Sequence, residues 1–381
     1  MIILFHSWEY GPGSGGVGQY MYQMAKSLIQ YDNKVIIVTG RVSGLTSEEE
    51  ADGIKIYRCY DSKEIRSKTV AERTLSIAND HHVDVIEGAD HIGECARLIS
   101  MARRPPILIK YHSCQVLNSL TSAEIVYGWQ RITVMVALMR IWRQRRAERV
   151  CIECPDFAIA PSRAILNAYK KQGTKILWNC SVIPNTFSPY ELPSGARESE
   201  HPVLLYAGRV QLQKGIHYLP SILKSILVRH PDTILEIAGS DCYARGLGSL
   251  TQWLKGQFGS LLPHVRFLGP LSAQELDKAY TRAWVFIFPT RWDNFPMVIL
   301  EAMARGKAIV TTPHGGMPEM LAGTGSPIEE PSALAFAEAV CRLLGDCRER
   351  ERIGHANWQK VQNYSPEKII PQYINFLKAN L

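Results

Sequence analysis

Three clusters of residues have the types and the spacing to hold an anionic, hydroxyl-rich ligand. The first is Gly11-Pro-Gly-Ser-Gly-Gly-Val-Gly18, with five glycines in eight residues, ahead of an amphipathic segment with Met21, Met24, Ala25 and Leu28 at apolar positions. Glycines let a ligand approach the backbone, and amides at a helix start attract anions. The second is Gly208-Arg209, closing the apolar run 203–207, followed by Lys214-Gly215. A strand ending in Gly-Arg sets a guanidinium at the carboxyl edge of its sheet, and Lys214 adds a second cation at the next helix start. Two such cations bind a diphosphate and neutralise the charge that develops on a leaving phosphate. The third is Thr290-Arg-Trp-Asp293-Asn-Phe-Pro-Met-Val-Ile-Leu-Glu301-Ala-Met-Ala. Asp293 falls in a loop and Glu301 two turns into the following helix. Their offset spans about 12 Å if it is all helical, so one ligand with hydroxyls at both ends can meet both acids. The amides of Asn294 to Val298 open the helix and suit phosphate, and Pro296 suits its first turn. Glu301 lies among Ile299, Leu300 and Met303, where a carboxylate without a purpose is costly.

Each cluster has a plainer reading. The glycine run can be a ligand-free loop, the Arg209/Lys214 pair a solvated basic loop, and Asp293 a helix N-cap. Gly11-x-Gly13-x-x-Gly16 also formally matches the dinucleotide fingerprint. Here His6 to Tyr10 separate it from the strand, and the second strand ends in Gly40-Arg41 instead of an acid. Arg41 suits a 2′-phosphate, which leaves an NADP-dependent oxidoreductase as an alternative. A catalytically inert sugar-nucleotide binder is another.

These clusters need a scaffold that gathers strand ends and helix starts along one edge. Short apolar runs at 2–5, 35–39, 54–57, 83–87, 107–111 and 157–160 read as strands, and segments near 17–31, 71–80, 93–104, 122–149 and 162–171 as helices. This is the alternation of a doubly wound parallel α/β sheet. The polar, proline-rich stretch 188–202 reads as a linker. Strands at 203–207, 233–238, 264–268, 284–288 and 308–311 then restart the pattern. The expectation is two Rossmann-like domains, 1–187 and 203–365, with a final helix near 366–381 that packs back on the first.

Composition narrows the class. Apolar residues are 46% and charged residues 21%, which excludes a disordered chain. Forty-three basic against 36 acidic residues give +7, mild for 381 residues, so a nucleic-acid partner is not expected. No apolar run reaches the roughly 18 residues of a membrane span; the best, 132–139, ends at Arg140. The N-terminus lacks the regions of a signal peptide, so a cytoplasmic protein is expected. Nine scattered cysteines, with Cys151-x-x-Cys154 the lone CxxC, read as thiols and not as a zinc site.

Taken in order, these features resemble the retaining glycosyltransferases of the GT-B fold, specifically the GT4 family. The resemblance runs through Gly15-Gly16, His112 in Tyr-His-Ser, Ala160-Pro-Ser162, Ile183-Pro-Asn185, Gly208-Arg209, Lys214-Gly215 and Phe267-Leu-Gly269. It ends on Asp293…Glu301, which is similar to the family's E-x7-E motif. The first acid is Asp293 instead of Glu, one methylene shorter, and Pro296 and Met297 replace smaller residues. The resemblance implies a GT-B fold with an inter-domain cleft and a nucleotide-sugar substrate, a UDP-sugar favoured, with no cofactor and no metal. Arg209 and Lys214 would hold and stabilise the diphosphate, and Glu301 the ribose. Asp293 and the amides of Asn294, Phe295, Pro296, Met297 and Val298 would hold the sugar, with Pro296 adding only its place in that run. Leu268 and Gly269 would face the base, Gly15 and Gly16 the donor, and His112 the sugar near its reacting carbon. Taken alone, His112 also reads as an ordinary strand-end histidine.

The acceptor, a sugar, a lipid-linked sugar or a small molecule, is expected to meet Tyr111, Gln115 and Trp129. In 131–150, Arg131, Arg140, Arg143, Arg145, Arg146 and Arg149 face one acid, Glu148. With Trp129 and Trp142 this is a candidate peripheral contact with the inner membrane face. Apolar residues occupy nearly every side of 132–142, which favours a buried helix with a solvated basic end.

Overall fold

The computed structural model describes residues 1–11, 14–61, 64–112, 145–189, 198–244, 246–330 and 332–381. The chain divides into two compact units. One holds the described residues up to Ser188 together with Tyr364–Leu381, and the other holds Pro189–Asn363.

The first unit is built on strands β1 (Ile2–Ser7), β2 (Lys34–Gly40), β3 (Glu48–Ala51), β4 (Ile54–Tyr60), β5 (Val85–Ala89), β6 (Ile107–Lys110), β7 (Phe157–Ala160) and β8 (Cys180–Val182). Their order is β3-β4-β2-β1-β5-β6-β7-β8, and every pairing but β3–β4 is parallel. Alternation along β1 and β2 sends Leu4, Ile36 and Val38 into one core and Ile3, Phe5, Val35 and Ile37 into the other. The second core receives Tyr20, Met21, Met24 and Leu28 from helix Gly16–Gln30, and Ile369, Ile370, Tyr373 and Leu377 from the last helix, Pro366–Asn380.

Two strands escape the apolar pattern. β3 is Glu-Glu-Glu-Ala, poor in strand formers, and it pairs because Asp52 (φ 53°) and Gly53 (φ 76°) turn it back on β4. β8 has only three residues. The helix expected over 93–104 is shorter: a 3-10 turn His91–Gly93 and one turn at Ala96–Ile99. Left-handed backbone at Ile92 and Arg103 and the pair Pro105-Pro106 explain the breaks. β5 lies two residues later than expected, since Val85–Ala89 is buried throughout.

The second unit holds β9 (Val203–Ala207), β10 (Ile234–Ala238), β13 (Val265–Gly269), β14 (Val285–Phe288) and β15 (Ala308–Thr311), with a small ribbon β11 (Tyr243–Ala244) and β12 (Gly248–Ser249). The sheet order is β13-β10-β9-β14-β15, all parallel. The order reverses between β9 and β14, and ligands bind at the carboxyl ends of such a switch point. Arg209 follows β9 and Asp293 follows β14, so this sheet brings the two clusters to one place. Of the expected linker, 190–197 lie outside the described residues. Its end is fastened to the second unit by the Trp284 indole donating to Ser199 O (2.9 Å) and a Glu198–Arg350 ion pair (2.7 Å).

Candidate active site

Arg209 stands exposed at the end of β9, its carbonyl held by the Tyr206 hydroxyl at 3.1 Å. Lys214 ends a 3-10 turn, Leu212–Lys214, and Gly215 follows in the left-handed conformation, φ 77°. A Cβ on Gly215 would lie 1.7 Å from Pro289 O, so the two strand-end loops touch through this glycine. Gln213 completes the brace: its carbonyl accepts from Arg291 N (2.8 Å) and Thr290 Oγ1 (3.2 Å), and its side chain donates to Trp292 O (3.2 Å). Gly215→Ala combines strained φ with a backbone clash. It should cost at least about 1–3 kcal/mol, read as a lowered urea midpoint at constant slope; an unchanged midpoint would refute the close approach.

That brace delivers the Lys214 ammonium to the Asp293 carboxylate, 2.5 Å apart, both side chains largely buried. The cation expected on phosphate and the acid expected on sugar are thus direct partners. Asp293 is not a helix cap. Its side chain is turned to Lys214, and its backbone forms a parallel bridge to Gly315, where a Cβ would lie 1.8 Å from Asp293 O.

The acidic helix is Met297–Ala304, capped by Pro296 in an extended conformation (φ −68°, ψ 123°). Pro296 therefore precedes the first turn instead of lying in it, and Glu301 stands about one turn into the helix, not two. Asn294 and Phe295 turn their side chains inward, and Asn294 Oδ1 accepts from the Trp292 indole at 2.8 Å. Glu301 Oε2 accepts from the Tyr280 hydroxyl at 3.2 Å. Burial raises the Glu301 carboxyl above its ordinary range, while Arg305 and Tyr280 pull it down. Leu268 and Gly269 close β13, half-buried, and Gly269 O holds Gly239 N at 2.8 Å.

In the first unit, Gly15 caps helix Gly16–Gln30 with extended backbone, and the Glu9 carboxyl group packs against it. Pro12 and Gly13 of the glycine run lie outside the described residues. His112 comes two residues after β6. Its N–H donates to Asp90 Oδ1 (2.8 Å), and its ring meets the Tyr20 ring edge-on, 4.8 Å between centroids. Burial holds the imidazole well below its ordinary range, and Lys110 and His91 push it further, so the ring is neutral. Tyr111 corrects an expectation. It is fully buried, its hydroxyl donates to Ile152 O (2.9 Å) and its ring packs on Tyr169, so its side chain cannot meet an acceptor. Gln115, Trp129, Trp142 and the arginines at 131, 140 and 143 lie outside the described residues. Arg145, Arg146 and Arg149 are exposed within a helical stretch, Arg149 pairs with Glu153 (2.9 Å), and Glu148 is buried. No helix among the described residues is long and apolar enough to cross a membrane.

Two family profiles divide the chain at the same place as the fold. Glycosyltransferase Family 4 matches residues 14–189, and Glycosyl transferases group 1 matches 191–360. The chain is a GT-B glycosyltransferase. The oxidoreductase alternative falls with this match. The chain is similar to a glycogen synthase of Mycobacterium tuberculosis, 25% identical over 394 residues, covering 95% of this chain and 90% of that protein. Among solved structures, the sucrose-phosphate synthase of Thermosynechococcus elongatus superposes with a TM-score of 0.81 at 20% identity, over 100% of this chain and 98% of the other. Anabaena HepE in complex with UDP-glucose gives 0.75 at 18% identity over the whole of both chains.

The glycosyltransferase also has polar residues in its first unit that the motifs did not indicate. Glu87 in β5 and Lys110 in β6 are charged groups inside strands and fully buried. Burial pushes the Glu87 carboxyl up and the Lys110 amine down, and each partly offsets the other's shift. Asp90, just after β5, is also buried, and takes the Tyr169 hydroxyl on Oδ2. A charged residue within an otherwise apolar strand is the one signal the sequence offers for Glu87 and Lys110.

Proposed function

We propose that this glycosyltransferase moves a hexose from a UDP-sugar, UDP-glucose or a UDP-N-acetylglucosamine-like donor, to a hydroxyl of a sugar, lipid-linked sugar or small-molecule acceptor. The anomeric configuration is retained, no divalent metal is needed, and the product belongs to polysaccharide or glycoconjugate biosynthesis. The observation that carries the reading is the placement of Arg209 and the Lys214–Asp293 pair on two strand ends at one switch point. The similar proteins support it, since one is a glycogen synthase and another is seen in complex with UDP-glucose.

Arg209 and Lys214 supply two positive charges for a diphosphate, the role a metal plays elsewhere, and the sequence has no Asp-x-Asp pair to hold one. Lys214 and Asp293 neutralise each other here; a diphosphate and a sugar hydroxyl offer each a replacement partner. Glu301 accepts hydrogen bonds from the ribose. Neutral His112 is assigned to a hydroxyl of the donor sugar. In a front-face transfer the bond from the anomeric carbon to the phosphate oxygen breaks as the acceptor oxygen bonds to that carbon. The acceptor proton passes to the leaving phosphate. UDP titrated calorimetrically in EDTA should bind as tightly as in magnesium. Binding that appears only with magnesium would overturn the metal-free part of the proposal.

A further inference from the structure

Glu87 lies in the middle of β5, fully buried, where a carboxylate without partners is untenable. Both its oxygens are committed. Tyr20, on the first helix, donates its hydroxyl to Oε1 at 2.8 Å, and Tyr373, on the last helix, donates to Oε2. The Tyr20 ring then carries two further contacts. The His112 ring meets it edge-on, at 64° between planes, and the Lys110 ammonium lies 4.8 Å from its centroid while donating to Ile183 O at 2.7 Å. The hydroxyl bond fixes where the Tyr20 ring lies, and the contacts of Lys110 and His112 on the ring itself oppose its turning. The imidazole of His112 therefore packs against a ring held in place, while Asp90 separately fixes its backbone.

We propose that Glu87 is a positioning residue for glycosyl transfer. By anchoring Tyr20 it fixes the position of the ring against which His112 packs, and through Tyr373 it makes the last helix part of that support. The inference rests on the reading that His112 contacts the donor sugar. A reacting group displaced by about 1 Å costs as much as about 100-fold in rate, so loss of a tether acting through one ring lies between about 10-fold and that limit.

Tyr20→Phe and Tyr373→Phe each remove one hydroxyl and keep the ring, so both should fold even where Glu87→Gln does not. Each should lower kcat by about 10-fold or more, with UDP affinity and donor KM unchanged. Added to His112→Ala, Tyr20→Phe should cost nothing further, because the tether acts only through that ring. Losses that add, or an unchanged kcat in Tyr20→Phe beside a crippled His112→Ala, overturn the proposal. If His112→Ala itself retains full kcat, the donor-sugar reading is what fails. The positioning claim is then decided by the His112 ring resonance in 13C-histidine-labelled protein. That resonance should move in Tyr20→Phe and Tyr373→Phe, and a resonance unmoved in both refutes the tether.

Discussion

Lys214→Ala should lower the rate of sugar transfer by about 10²–10³-fold, and Arg209→Ala by a similar factor. Both cations act on charge that is larger in the transition state than in the bound donor, so the loss belongs in kcat and exceeds the loss in UDP affinity. The two variants differ in what they leave behind. Arg209 is exposed, so its removal should leave thermal stability nearly unchanged. Lys214 is the direct partner of a largely buried Asp293, so its removal strands a carboxylate and should lower the melting temperature as well. Pairing Lys214→Ala with Asp293→Asn should restore much of that stability without restoring turnover. Parent-like rates in both single variants would mean that neither cation serves the leaving diphosphate.

The second domain was legible because its chemistry sits where pattern and composition coincide. Gly208-Arg209 ends an apolar run, Lys214-Gly215 opens the next element, and Asp293 follows β14, so strand order alone brings them together at a switch point. The Lys214–Asp293 contact was not legible, because it depends on Gly215 letting one loop come against Pro289 of the other. In the first domain, β3 was hidden by its glutamates and is held by a turn at Asp52-Gly53. Tyr111 shows the opposite failure. It was expected to meet the acceptor, but both faces of this sheet carry a core: Tyr111 packs into one, and His112 beside it meets Tyr20 of the other. Glu87 and Tyr373 are 286 residues apart, and no local pattern joins them.

Glu301→Gln should weaken UDP and UDP-sugar binding alike, by about ten-fold or more. The change keeps shape and burial but removes the charge, and hydrogen bonds to a charged partner contribute roughly 1.5–3 kcal/mol. Burial already pushes the Glu301 carboxyl up, with Arg305 and the Tyr280 hydroxyl opposing it. The charged form is the one that accepts from both ribose hydroxyls, so affinity is full above its raised pKa and falls as pH drops through it. UDP binding in that range should release protons, seen as a dependence of calorimetric heat on buffer ionisation. Glu301→Gln should reduce both the pH slope and the proton release to what the UDP phosphate itself contributes. Asp293→Ala provides the contrast. It should leave UDP affinity nearly intact and weaken only steps that need the sugar, while Asp293→Glu, which restores the longer acid, should stay active. Equal losses for UDP and UDP-sugar in Asp293→Ala would place Asp293 on the phosphate side with Lys214. A Glu301→Gln protein that binds UDP as tightly as the parent would mean the carboxylate serves Tyr280 and the helix, not the ribose.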